Sequence, residues 1–283
     1  MPRAEGTHLG AVESVGCVQG AAQCHERFIQ LSDLMSSSNP TRQEDMSMKF
    51  VTSFITVVAL GVSGAAQAAD VRLFTEDYAP LNFERDGEIV GLGADQVFEI
   101  MDRAGITYEA ELTQWSRAIG QAERRPNTCV FSTTHTPERD PKFKWVEPLA
   151  SDSTILVRKS GSDIAPATIE EARSYRTGTQ TGDYTVGVLE GAGFDAIDLA
   201  PTQSATLKKL LQGRIDLMAT SGSFLESALA DGVEIEEALV LSTTMMSLAC
   251  SQKTDQALVD RMQTALQSMI DDGTQTEIAA RYK

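Results

Sequence analysis

The most specific chemistry in this chain is concentrated in Val130-Phe131-Ser132-Thr133-Thr134-His135-Thr136-Pro137-Glu138-Arg139, where an apolar run leads into hydroxyl side chains and then reaches an arginine. Side chains two apart on a strand share a face, which would turn the hydroxyls of Ser132 and Thr134 into one cleft. Arg139, a planar fork that keeps its charge, would then grip a carboxylate through two parallel hydrogen bonds. A plain strand followed by a surface arginine at a helix start explains the same residues, and the segment alone leaves both interpretations open.

Other reactive side chains are few. Cys129 and Cys250 are the only cysteines after residue 68. In an exported chain they would pair as a disulfide or pack as two small buried hydrophobes, and only geometry separates the two. Neither has a histidine or a second cysteine beside it, as a nucleophile or a zinc ligand would. His135 is the only histidine after residue 68. Alternation turns it away from the face shared by Ser132 and Thr134, so we read it as structural. No metal, cofactor or catalytic residue is expected.

The elements that must position these groups alternate between strand and helix. Val71 to Thr75 reads as a first strand, followed by the turn-rich Glu76-Asp77-Tyr78-Ala79-Pro80, and Asp86-Gly87 marks a hairpin. Ala94, Val97, Ile100, Met101 and Ala104 follow the helical period up to Gly105. A strand over 106–112, a helix over 115–123 and a strand over 128–132 come next. Phe143 to Leu149 closes a first unit, and Thr154 to Lys159 begins a strand again. The same grammar recurs with strands at 175–179 and 214–219, helices ending near Gly191 and Gly213, a last strand at 247–251 and a terminal amphipathic helix. Such alternation predicts an α/β architecture of mostly parallel sheets flanked by helices.

Met48-Lys49, the apolar run Phe50 to Val62 and the small-residue pattern Ala66-Gln67-Ala68 form a secretory signal peptide, with cleavage expected after Ala68. The apolar run falls short of the ~20 residues needed to span a bilayer. Residues 1–47 precede it and are read as a non-native or disordered upstream extension, with initiation at Met48 or Met46. With 24 basic against 40 acidic residues the chain carries a formal charge of −16, and it shows no basic patch with interleaved aromatics, so nucleic acid is not an expected partner.

Tyr78-Ala79-Pro80 with Phe83, Gly91, Trp115, Thr136-Pro137-Glu138-Arg139, Gly213-Arg214-Ile215-Asp216 and Asp272-Gly273 stand in the order and spacing that resemble the family 3 extracytoplasmic solute-binding proteins, the polar amino-acid receptors of ABC importers. The resemblance covers essentially residues 70–283. It implies a two-lobed, type II Venus-flytrap fold like that of periplasmic binding proteins. Lobe 1 would take residues 69–151 and 245–283, lobe 2 residues 152–244, with the two crossing segments as hinge. It further implies a free, monomeric periplasmic protein that captures a small carboxylate-bearing solute, an amino acid or related organic acid, for an inner-membrane ABC permease.

Carried over by position, Tyr78 stacks on the ligand, while Ser132, Thr134 and Arg139 hold its carboxylate. Trp115 is either a wall of the cleft or, as large aromatics more often are, a core residue. Ser221 occupies the place of the acid that holds the ligand's ammonium. A neutral hydroxyl cannot supply that contact, so an α-amino acid ligand comes into question. Asp183 would supply the charge unless it is the cap of the following helix, the reading we favour. Asp216 is read as structural. The same fold is known to host a periplasmic cyclohexadienyl dehydratase, for which Glu76, Asp77 and Asp183 are the available acids, and a soluble sensor acting through a separate receptor is a third possibility.

Overall fold

The computed structural model describes residues 69–282. The upstream extension, the signal peptide with its cleavage site, and Cys17 and Cys24 lie outside the described residues. The elements in chain order are β1 (Val71–Thr75), β2 (Phe83–Arg85), β3 (Glu88–Val90), α1 (Leu92–Ala104), β4 (Tyr108–Leu112), α2 (Trp115–Arg124), β5 (Thr128–Thr134) and β6 (Phe143–Lys159). They continue with α3 (Ile169–Ala172), β7 (Thr177–Gln180), α4 (Tyr184–Gly191), β8 (Ile197–Ala200), α5 (Gln203–Leu211), β9 (Leu217–Ser221), α6 (Gly222–Ala230), β10 (Ile235–Ser251), α7 (Gln256–Asp271) and α8 (Thr274–Ala280).

One eight-stranded sheet runs in the order β4-β1-β5-β10-β6-β9-β7-β8. The pairs β1–β4 and β1–β5 are parallel, as are β7–β8 and β7–β9, whereas β6 and β10 run antiparallel to each other and to their neighbours. β6 and β10 are each 17 residues long and form the middle of the sheet. Apolar side chains flank them in separate cores. Two clusters draw only on residues from Val71 to Leu149 and from Leu248 onward, including Phe131, Met101, Trp115 and Met262. Two others draw only on residues between Ile155 and Leu241, including Met218 and Leu189. Burial on both sides thus makes two lobes joined by two continuous strands.

The predicted hairpin forms at Asp86-Gly87, both residues having positive φ, and Gly105 caps α1 in the left-handed conformation at φ 60°. Several expectations are corrected. β6 does not stop at Leu149 and resume at Thr154; its polar stretch Ser151-Asp152-Ser153 stays in the ladder through pairing with Met245, Thr244 and Thr243. β10 begins at Ile235, not Ser247. The strand expected over 214–219 begins at Leu217, because Asp216 is tied to the Arg176 side chain and backbone.

Candidate functional site

Arg139 follows β5 and caps a short helical turn over residues 140–142, and the residue is 6 % exposed. Its guanidinium donates from Nη1 to the Thr134 carbonyl at 3.2 Å and from Nη2 to the Gly182 carbonyl at 3.1 Å, bridging the two lobes. It lies 5.3 Å from the Trp115 ring centroid, a cation–π distance. Burial draws its pKa down, and the nearby carboxyl groups of Asp183, Glu138 and, when ionised, Glu76 oppose that fall. Those acids are engaged elsewhere: Glu138 with Lys142, Asp183 with Thr185, Glu76 with Gln180. Among the described residues no carboxylate pairs directly with Arg139, and three of its five N–H donors are unused.

All seven residues selected from the sequence, Tyr78, Trp115, Ser132, Thr134, Arg139, Asp183 and Ser221, line one cavity. Ser132 and Thr134 reach it by a different route from simple alternation. The β5–β10 register slips between Thr133 and Val130, and Ser132 sits in that bulge at φ 55°, a conformation uncommon for a residue with a Cβ. Bulges re-aim side chains, and Ser132 Oγ is buried with no hydrogen-bond partner among the described residues. Space for it comes from Gly93 at the start of α1, where a Cβ would collide with Ser132 Oγ.

Trp115 answers to both readings, since it packs in the core with Phe74 and Val130 and also walls the cavity. Its indole Nε1 donates to the Gly182 carbonyl at 2.8 Å. Tyr78 crosses from lobe 1 to share hydrogen bonds with Ser221 Oγ at 3.0 Å and Thr220 Oγ1 at 3.2 Å. Ser221 caps α6 through Phe224 N, and Asp183 caps α4, its Oδ1 accepting from Thr185 N at 2.9 Å. His135 is held away from this cavity between Glu147 and Asp140, at 2.9 and 2.8 Å, and stacks on Trp145. Burial alone would lower its pKa, but the hydrogen bonds to Glu147 and Asp140 outweigh this and raise it.

Sequence reasoning did not assign Glu76, Asn82, Asp152 or Tyr184 to the ligand, yet all four line the cavity. Glu76 lies one residue past β1. It is 9 % exposed, accepts from Gln180 Nε2 at 2.6 Å, and is pushed up to a pKa of about 8, mainly by burial. Its folded pKa exceeds the unfolded value of 4.5, so the native protein binds the extra proton between those values and loses stability as pH rises from about 4.5 toward about 8. Glu76→Gln should therefore melt several degrees above the parent protein at pH 8, with the difference closing near pH 4.5, in thermal melts across that range.

The cavity measures about 40 Å³, well below the ~300 Å³ of a small-ligand pocket. Direct bonds between the lobes hold its walls together, from Arg139 and Trp115 to Gly182, from Tyr78 to Ser221 and from Gln180 to Glu76. With these bonds in place the cavity is too small for a guest the size of an amino acid.

Many solved structures resemble the fold, and three illustrate the range. The arginine-, lysine-, histidine-binding protein ArtJ from the thermophilic bacterium Geobacillus stearothermophilus superimposes with a TM-score of 0.68 at 19 % identity, covering 75 % of this chain and 94 % of that one. A histidine kinase sensor domain with similarity to periplasmic binding proteins gives 0.69 at 17 % identity over 75 % and 95 %. The ancestral amino acid-binding protein AncCDT-1, a precursor of cyclohexadienyl dehydratase, gives 0.65 at 20 % identity over 75 % and 94 %. No curated protein matches the sequence. The model of the bacterial extracellular solute-binding proteins, family 3, matches residues 71–283, and the chain belongs to that family.

Proposed function

We propose that this protein is the periplasmic receptor of an ABC importer and that it captures a small carboxylate-bearing solute, an amino acid or related organic acid, between its lobes. The observation that carries this reading is Arg139, a buried cation in the cleft with unused donors and no directly paired carboxylate among the described residues. Buried charge is costly unless paired, and a planar carboxylate matches the fork. Ser132 Oγ and Asn82 Oδ1, buried and without a partner among the described residues, add polar capacity to the cavity lining. In this reading lobe 1 comprises residues 69–151 and 245–283 and lobe 2 residues 152–244, so the hinge falls where Ser151 pairs Met245 and Asp152 pairs Thr244. The guest stabilises closure by its differential affinity for the closed form, a monomer that the permease recognises. The signal peptide of residues 48–68 exports it.

Thermal shift against amino acids, dicarboxylates and keto acids tests the reading. A true ligand raises the melting temperature with concentration by mass action, and no shift with any of them refutes it. One observation favours a second reading: Glu76 holds a proton at neutral pH within the cleft, as a general acid must. Turnover of prephenate or arogenate by the purified protein would establish that dehydratase chemistry, and none is expected.

A further inference from the structure

We propose that Glu76 and Gln180 form a proton-dependent latch between the lobes, an acid–amide pair that holds the cleft shut while the acid keeps its proton and lets it open when the proton leaves. Glu76 stands in lobe 1, one residue past β1, and Gln180 ends β7 in lobe 2, 104 residues away. Both are buried, and Gln180 Nε2 donates to Glu76 Oε2 at 2.6 Å. The other end of this amide is unsatisfied: Gln180 Oε1 is buried with no hydrogen-bond partner among the described residues. Among the described residues Glu76 also has no ion-pair partner. A carboxylate only accepts hydrogen bonds and has nothing to offer Oε1, whereas a carboxylic acid has one O–H to give. Protonated Glu76 can thus serve both ends of the amide. Ionised Glu76 leaves an unpaired buried charge beside an orphan carbonyl, and both are unfavourable.

The pair sits where the lobes meet. Glu76 lines the central cavity with Asp183, Tyr184 and Ser221 of lobe 2, and a neighbouring groove with Gln203 and Phe224. Burial acts on its carboxyl most strongly and raises the pKa; the Gln180 hydrogen bond and Arg139 oppose this, while Asp183 at the start of α4 and the adjacent Asp77 reinforce it. Burial keeps Tyr78 and Tyr184 protonated near neutral pH, and Asp152 and Asp231 are the remaining titratable groups of the cavity and the groove. Parting the lobes separates Glu76 from Gln180 and returns its carboxyl toward the ordinary value of 4.5, against about 8 in the closed form. The closed form therefore binds the proton more tightly. Closure is favoured in full below about pH 4.5, and that preference is lost as pH rises toward about 8. Between pH 6 and pH 9 the ratio of closed to open molecules should fall by more than about tenfold. The latch is a property of the two lobes alone and holds whether or not the receptor reading does.

Small-angle X-ray scattering of the free protein at pH 6 and at pH 9, in buffers without amino acids or carboxylates, tests the latch. The parent's radius of gyration should rise at pH 9 and return on going back to pH 6. Glu76→Gln, whose amide can pair with Gln180 without titrating, should keep the compact radius at both values. Gln180→Met, similar in size but lacking the amide, should be expanded relative to the parent already at pH 6. Unfolding would roughly triple the radius, so a misfolded variant is not mistaken for an open one. A parent radius unchanged between the two pH values overturns the inference, as does a rise that Glu76→Gln retains in full, or a Gln180→Met as compact as the parent at pH 6. Solute binding is a separate measurement, and its absence refutes the receptor reading while leaving the latch in place.

Discussion

Arg139→Ala should remove ligand binding while leaving the unliganded melting temperature unchanged or slightly raised. Truncating one partner of a buried, hydrogen-bonded charge pair costs about 2–5 kcal/mol of binding, which corresponds to a loss of roughly 30-fold to several thousand-fold. The protein's own stability should not follow, because the guanidinium bonds only two carbonyl oxygens and its burial without a directly paired acid is itself unfavourable. Arg139→Lys separates charge from shape: it keeps the cation and loses the fork, so it should bind with intermediate affinity. Calorimetry with any solute that passes the thermal-shift screen, run beside melts of the free proteins, measures both quantities. A variant that binds like the parent places the ligand elsewhere.

The second large effect concerns stability. Cys129 on β5 and Cys250 on β10 are bonded to each other, fully buried, and 121 residues apart in the sequence. The bond clamps β5, which carries Ser132 and Thr134, to the strand that crosses between the lobes. A cross-link closing so long a loop contributes about 2–5 kcal/mol, chiefly by restricting the unfolded chain. The double variant Cys129→Ala/Cys250→Ala should therefore melt about 10 °C lower, at roughly 2–4 °C per kcal/mol for a chain of this size. Mild reductant should leave the folded parent intact, because no sulfur is accessible. Coincident melting curves for parent and double variant would show that the bond contributes nothing. The same bond requires an oxidising compartment, consistent with the proposed export.

Much of the fold was legible because its signals are local. The hairpin at Asp86-Gly87, the stop at Gly105 and the apolar stripe of α1 each follow from a few adjacent residues. What escaped was set by pairing across the sheet. Ser151-Asp152-Ser153 carries no apolar pattern and reads as a linker, yet the ladder to β10 makes it strand, and the same ladder brings Asp152 beside Ser223. The bulge at Ser132 also arises between strands, so alternation brought Ser132 and Thr134 to the cavity wall for an incomplete reason. Glu76 was visible as an acid after β1, but its raised pKa comes from burial, which outweighs the opposing hydrogen bond from Gln180, 104 residues away. The cysteines could not be paired from sequence, since 121 residues of chain lie between two positions that meet only in the β5–β10 ladder. Trp115 shows why a choice between core and cleft can be false: it belongs to a buried cluster and its ring also lies under the Arg139 guanidinium.

The most direct test of the account is a crystal structure of the protein grown with a solute that raises its melting temperature. The account predicts the guest between the lobes, its carboxylate within about 2.7–2.9 Å of two nitrogens of Arg139 and near the Ser132 and Thr134 side chains. A guest bound outside this cleft, or one inside it whose carboxylate leaves Arg139 with Thr134 and Gly182 as its only partners, would contradict it.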